Sequence, residues 1–546
     1  MIDLFDVGVT YTGDTEPTIR NVDVHIPEGE LALVAGRTGS GKSTLLRTLN
    51  GLVPHFSGGR LDGRVEVAGR DTRVNRPRDL ADVVGFVDQN PNNGFVTDIV
   101  EDELAYAMES LGVPPGTMRR RVEEVLDILG LADIRQRALR TLSAGQKQRV
   151  AIGSVLTAGP TILVLDEPTS ALDPQAAEEV LAVLQRLVHD LSMTMVMSEH
   201  RLERAVQYAD RVLLVVDGTV DDSGDPAAAM AVSPVVPPVV ELGRWASWTP
   251  LPLSIRDARR RAAPLRARLS DPRQGDGVGG DDHADAAEIP SEVVTCRRVS
   301  ATYPGVLALN NVTLDVGRGE IVALMGRNGS GKSTLLRLMA GLAAPASGRL
   351  RIAGQDPRRL KGEDRRGSVG LIPQNPGDLL WTDSLGQECA DADQDAAVAS
   401  GTTAALLDTL LPGLGPQTHP GDLSEGQRLT AALAVILVGR PQLVLLDEPT
   451  RGLDYPTKAR LVALLKQRAD RGETVVVATH DVEFVAELAS RVVILAQGEV
   501  VNDAPVRQAV VSSPVFAPQV AKVMAPLSVL TVAEVAALEA RVGDWP

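Results

Sequence analysis

The chain of 546 residues is too long for one ordinary core and, at roughly 100–200 residues per domain, requires several packed units. Its 44% hydrophobic and 23% charged residues are ordinary for a globular protein, while a formal charge of −16 leaves no broad basic field for nucleic acid phosphates or anionic lipid. Two cysteines, Cys296 and Cys389, cannot build a disulfide framework or a tetrahedral sulfur site, and read as reduced, buried small hydrophobes.

From the amino terminus, MIDLFDVGVTYTG lacks the basic flank and long apolar run of a signal peptide. The first strong element is ELALVAG, an apolar run ending in glycine, followed by a loop and a helix-like stretch, KSTLLRTLNGL. The loop, Gly36 to Ser43, satisfies G-x-x-x-x-G-K-[ST]. In that pattern the backbone N–H groups of Gly36, Arg37, Thr38, Gly39, Ser40 and Gly41 turn inward to cradle phosphate at a helix amino terminus. Lys42 reaches the β and γ phosphates, Ser43 ligates magnesium, and Thr44 follows on the helix. TILVLDEP then ends an apolar run on Asp166 and Glu167, and TMVMSEH ends another on His200. Near-continuous aliphatic strands of this kind suit a parallel sheet covered on both faces, with ligands at the carboxyl ends of the strands. Asp166 fits the holding of magnesium, and Glu167 the polarising of an attacking water.

Past SPVVPPVVELG comes a basic run, RDARRRAAPLRARL, read as a solvated helix face. The stretch Ser270 to Pro290 is rich in glycine and aspartate and reads as a flexible acidic linker, His283 included. The pattern then begins again. EIVALMG leads into a second phosphate loop made of Gly326, Arg327, Asn328, Gly329, Ser330, Gly331, Lys332, Ser333 and Thr334, and QLVLLDEP ends on Asp447 and Glu448. TVVVATH ends on His480. The pairs Lys42/Lys332, Gln89/Gln374, Ser143/Ser424, Asp166/Asp447 and His200/His480 are offset by 290, 285, 281, 281 and 280 residues, so the chain is a tandem repeat with small deletions.

LSAGQKQRV (Leu142 to Val150) and LSEGQRLTA (Leu423 to Ala431), each just ahead of its acidic strand, resemble the signature motif of ATP-binding cassette (ABC) ATPases. The glutamines in VGFVDQNP (Gln89) and VGLIPQNP (Gln374) and the histidines His200 and His480 complete the resemblance, which covers nearly all of both halves. It implies an α/β fold: two tandem phosphate-loop domains, each with a mixed, largely parallel sheet, helices and a helical signature subdomain. It also implies that Tyr11 and Tyr303 stack on adenine, and that Gln89 and Gln374 join Ser43, Ser333, Asp166 and Asp447 around Mg2+. Catalysis of ATP hydrolysis would rest on Glu167, Glu448, His200, His480, Gln89 and Gln374. In this family each nucleotide lies between the phosphate loop of one cassette and the signature of another, so Ser424, Gly426 and Gln427 would complete the Lys42 site, and Ser143, Gly145 and Gln146 the Lys332 site. The third signature position, usually glycine, is Ala144 in one half and Glu425 in the other.

The expected organisation is a first cassette over 1–230 with an extension over 231–269, the linker 270–290, a second cassette over 291–510 and its extension over 511–546. The segment Phe86 to Pro114 and the string S-E-H-R around His200 resemble the ATPases of energy-coupling factor importers, which take up vitamins or transition-metal ions. That resemblance implies partnership with a membrane scaffold subunit and a substrate-capture membrane subunit, no nucleic acid, and a place on the cytoplasmic face of the membrane. A fused ATPase of a monosaccharide importer is the alternative, though its signature usually reads L-S-G-G-N-Q. A soluble tandem-cassette factor acting on ribosomes is a second, at odds with the short acidic linker. Acids after the two glutamines, Glu101 to Glu103 with Asp378, Asp383 and Glu388, are expected to form a groove for arginines of the scaffold.

Overall fold

The computed structural model describes residues 1–270, 292–303, 305–511, 513 and 516–543, so the expected linker, Ser270 apart, lies outside the described residues. Two compact units divide the chain, Met1–Ser254 and Ile255–Pro546. Both are α/β.

In the first unit six strands form the central sheet in the order Thr219–Asp222, Arg211–Val216, Leu31–Gly36, Thr194–Ser198, Ile162–Asp166 and Val84–Val87. All neighbours run parallel except the edge strand Thr219–Asp222. Every residue of Ile162–Asp166 and Thr194–Ser198 is buried, which is why these strands are aliphatic without alternation. A smaller antiparallel sheet pairs Ile2–Thr10 with both Ile19–Ile26 and Arg60–Val67. Between the two sheets the helix Lys42–Leu49 buries Leu45, Leu46 and Leu49 in one core with Val34, Val164 and Leu213. Helices Val100–Ser110, Pro115–Ile128 and Ala144–Leu156 form the helical subdomain.

The second unit repeats the plan. Its central sheet runs Val369–Ile372, Leu443–Asp447, Thr474–Ala478, Ile321–Met325, Arg491–Ala496 and Glu499–Pro505, again parallel except for the last strand. Its small sheet joins Glu292–Tyr303 to Val306–Gly317 and Ser347–Ile352. Leu385, Leu407, Leu423 and Ala434 pack the helical subdomain around Cys389. Both cysteines are free and buried, and burial pushes the Cys296 thiol up to about 12, so it stays a thiol at neutral pH.

Candidate active site

Each phosphate loop leaves the carboxyl end of a central strand and enters a helix. At Gly36 a side chain is impossible, because a Cβ would lie 2.4 Å from Val215 O and 2.8 Å from Ser40 Oγ. Gly41 caps the helix at φ 105°, a conformation glycine adopts without steric cost. Gly331 does the same in the second unit, also at φ 105°. Lys42 Nζ donates to Gly36 O at 3.1 Å and Arg37 O at 2.9 Å, and Lys332 Nζ donates to Gly326 O at 2.7 Å and Arg327 O at 3.1 Å. The Ser40 and Ser330 hydroxyls are buried with no hydrogen-bond partner among the described residues. Orphaned hydroxyls inside a ring of glycines fit an oxyanion acceptor such as phosphate.

In the first unit four elements converge on Glu167. Its Oε2 accepts from Gln89 Nε2 at 2.8 Å, and its Oε1 lies 2.8 Å from His200 Nε2. Its backbone N–H donates to Ser198 Oγ at 3.1 Å, and Ser198 Oγ in turn donates to Asp166 Oδ1 at 2.6 Å. Burial by itself would raise the Glu167 carboxyl, but His200, Lys42 and Gln89 together outweigh it and hold the group below the usual range. Asp166 is pushed the other way, by burial and by the neighbouring Glu167 charge, against hydrogen bonds from Ser198 and Ser43. One carboxylate of the pair is thus kept ionised beside the histidine.

The second unit builds the same cluster from different parts. Glu448 Oε2 lies 2.8 Å from His480 Nδ1 and accepts from Thr479 Oγ1 at 3.3 Å. Asp447 is raised by burial and by Glu448, while Ser333 and Lys332 oppose the shift. Ser198 and Glu199 of the first unit correspond to Ala478 and Thr479, a difference visible in the sequence whose partners only the fold reveals. Tyr11 stands beside its loop, its hydroxyl 3.1 Å from Thr44 Oγ1, and Tyr303 is exposed. Gln374 follows the strand Val369–Ile372, matching Gln89 after Val84–Val87.

Both signature serines cap helices. Ser143 and Gln146 exchange backbone-to-side-chain bonds of 3.0 and 3.2 Å at the start of Ala144–Leu156, and Ser424 and Gln427 do so at 2.8 and 3.3 Å at the start of Glu425–Leu437. A Cβ on Gly426 would meet Gly452 O at 2.2 Å, and one on Gly145 would meet Ala176 Cβ at 2.8 Å. The unusual Glu425 is matched locally by Arg451, whose Nε lies 2.7 Å away. In the first half the corresponding pair is Ala144 and Ser170, so both positions differ together.

The acids after the glutamines are where expectation and structure part. Glu103 is buried and its Oε2 accepts from Val96 N at 3.0 Å, Thr97 N at 2.8 Å and Thr97 Oγ1 at 2.9 Å. Glu388 repeats this with Trp381 N, Thr382 N and Thr382 Oγ1 at 3.0, 2.9 and 2.7 Å. Glu101 pairs with Arg135. Glu103 and Glu388 are thus buried and spent on their own loops, while Glu101 is part-exposed and engaged by Arg135 of its own unit. What the staples present instead is apolar: Val96 is 60% and Trp381 83% exposed.

Two phosphate loops, each set beside an acidic strand end and a histidine in an α/β unit, define a tandem phosphate-loop ATPase. The model of the family described as "ABC transporter" matches residues 19–170 and 309–451, more than half of the chain, and the chain belongs to that family. The family binds ATP with Mg2+ and hydrolyses it, so the chain is an ATPase. A Streptomyces coelicolor protein named "Putative ABC transporter ATP-binding protein" is 58% identical over 98% of this chain and 99% of its own length. One of the same name from Methanosarcina acetivorans is 33% identical over 93% of this chain and 85% of its own. An archaeal ribosome recycling factor, solved with a ribosomal stalk protein, aligns over 92% of this chain and 90% of its own with a TM-score of 0.57 and 20% identity, a likeness of fold alone.

Proposed function

We propose that this chain is the ATP-hydrolysing motor of an energy-coupling factor importer, driving uptake of a vitamin or transition-metal ion through separate membrane subunits. The observation that carries the reading is the path from Glu167 through Gln89 to a rigid loop with an exposed apolar tip, built again after Gln374 around Glu388. A loop anchored at the nucleotide end and bare at the other suits transmission of movement to an apolar partner surface. Among the described residues no helix is long and apolar enough to cross a membrane. The membrane span then belongs to a scaffold subunit and a substrate-capture subunit, with this chain on their cytoplasmic face.

In this reading the loops Gly36–Thr44 and Gly326–Thr334 hold the phosphates, and Tyr11 and Tyr303 stack on adenine. Ser43, Asp166 and Gln89, and in the other half Ser333, Asp447 and Gln374, would hold Mg2+, whose charge would offset that of the phosphates; hydroxyl and single-carboxylate donors suit this hard, partly hydrated ion. Glu167 and Glu448 orient and deprotonate water, and His200 and His480 keep them aligned. The signature residues Ser424, Gly426 and Gln427, and Ser143, Gly145 and Gln146, complete the opposite sites, so ATP joins the cassettes and hydrolysis releases them.

The test is recovery of the tagged chain from detergent-solubilised membranes. Wild type should bring an integral membrane subunit with it, identified by mass spectrometry. A Val96→Glu/Trp381→Glu double variant should lose that subunit and cellular uptake while hydrolysing ATP normally when purified alone. Recovery of wild type with ribosomal proteins and no membrane subunit would replace this reading by the ribosomal one.

A further inference from the structure

A formal charge of −16 rules out a broad basic field, yet the second unit gathers a local one around a cavity of about 420 Å³. The strand Ser347–Ile352 and the turn that follows it line this cavity with Arg349, Arg351, Arg358 and Arg359 against one acid, Asp356. That acid is already spent. Arg358 grips it through Nε to Oδ1 at 3.0 Å and Nη2 to Oδ2 at 2.6 Å, and holds its carboxyl down to about 2. Arg351 Nη1 donates to Gly354 O at 3.0 Å, which ties the turn back to the strand. Arg349 and Arg359 are exposed and take no hydrogen bond or ion pair among the described residues. The small sheet also sets like charges opposite each other. Arg349 pairs in register with Arg297, whose own guanidinium is taken by Asp315 of the strand on its far side.

The fold does not demand this arrangement, because the first unit builds the same strand and turn without it. GRVEVAGRDTRV, Gly63 to Val74, stands where the second unit has GRLRIAGQDPRR, Gly348 to Arg359, at an offset of 285 residues. In the first copy each arginine has its own acid: Arg64 with Glu66 at 3.3 Å, Arg73 with Asp71 at 3.2 Å and Arg70 with Asp82 at 2.7 Å. In the second copy Arg351 takes the place of Glu66 and Arg359 that of Val74, so one acid is lost and two arginines are gained. Arginines crowded on a concave surface repel one another. A multiply charged anion relieves that repulsion by accepting from several guanidinium forks at once.

We propose that this cavity binds a phosphate-bearing anion, separately from both nucleotide sites, with Arg349, Arg351 and Arg359 as its ligands. None of the lining residues belongs to a phosphate loop, an acidic strand end, a signature or the histidines of those sites. A tetrahedral phosphate accepts from forks that approach at different angles, whereas a planar carboxylate presents one edge to one fork. A free phosphate compound and the headgroup of an anionic lipid share this chemistry.

Two probes separate these sources: sodium tripolyphosphate, followed by calorimetry in chelator, and sedimentation with vesicles of phosphatidylcholine and phosphatidylglycerol in equal parts. Arg351→Glu/Arg359→Val restores the first unit's own residues, so it should melt and hydrolyse ATP as wild type does. It should weaken binding of the probe that wild type takes by about 30-fold, the scale of two exposed charge-assisted contacts. Arg349→Ala should weaken it by about tenfold. Arg64→Ala, in the first unit, should leave binding unchanged, and Lys42→Ala/Lys332→Ala, which disables both phosphate loops, should keep it. Arginine-dependent binding of tripolyphosphate alone assigns a free phosphate compound, and arginine-dependent sedimentation assigns a lipid headgroup. Failure of wild type to bind either probe would overturn the proposal. So would binding that the arginine variants leave intact, or that Lys42→Ala/Lys332→Ala abolishes.

Discussion

Glu167 and Glu448 both sit at positive φ, 49° and 53°, where a side chain other than glycine costs roughly 1–2 kcal/mol. The cost is met at each by a backbone bond, Glu167 N to Ser198 O at 3.2 Å and Glu448 N to Ala478 O at 2.8 Å, which pins the turn to the next strand. Beside this turn the two sites differ most. Glu199, adjacent to His200, is buried, with Oε1 accepting from Thr169 N at 2.9 Å and Oε2 without a partner among the described residues. Burial, helped by the Glu167 charge and opposed by Thr169 and Arg204, raises its carboxyl from 4.5 to about 7. A raised acid binds its proton more tightly in the folded state, so its contribution is full below pH 4.5 and lost as pH climbs to about 7. Linkage puts that loss on the order of 3 kcal/mol. Glu199→Gln should therefore melt higher than wild type at pH 8, with the advantage vanishing near pH 5. An advantage that does not change between those two pH values would show that Glu199 is ionised in the folded protein throughout.

At the scale of elements, the loops after the two glutamines are built to one design from unlike sequences, FVTDIVEDE and LWTDSLGQE. In each a threonine hydroxyl and two backbone N–H groups close on a single buried carboxylate. Removing it strands donors away from water, which costs about 1–3 kcal/mol. Glu103→Ala and Glu388→Ala should each lower stability by that amount in chemical denaturation. Both should also raise amide exchange at 96–97 or 381–382, while exposed Asp102→Ala should change neither. Equal behaviour of the three variants would refute the staple. The sequence showed these acids and placed them on the outside; spacing alone cannot tell an acid that begins a solvated helix from one that turns back to cap its own loop.

For the molecule as a whole, the proposed sharing of signatures between cassettes makes a specific demand. With Glu448→Gln in place, remaining hydrolysis should come from the Lys42 site, whose proposed complement is Ser424. Adding Ser424→Arg should then abolish single-turnover hydrolysis, whereas adding Ser143→Arg should leave it within about threefold. The loss expected from a disturbed catalytic alignment is about 10²–10⁴ in rate, well outside a threefold change. The reverse pattern would mean that each cassette uses its own signature.

The sequence by itself determined the duplication, the two phosphate loops and the order of the acidic strands. These are local: a strand, a glycine turn and a helix start are written in consecutive residues, and a repeat confirms each by its copy. Only the tertiary structure decided what distant residues do to one another. Ser198 reaches Asp166 across neighbouring strands, Arg451 meets Glu425, and Glu103 closes its loop, each through separations that residue order does not encode. The basic run 255–269 is the clearest case. Its composition says only that it is charged and helical, but whether an arginine faces water or a helix's terminal carbonyls depends on which surface the chain brings beside it, and that surface lies more than 250 residues further along.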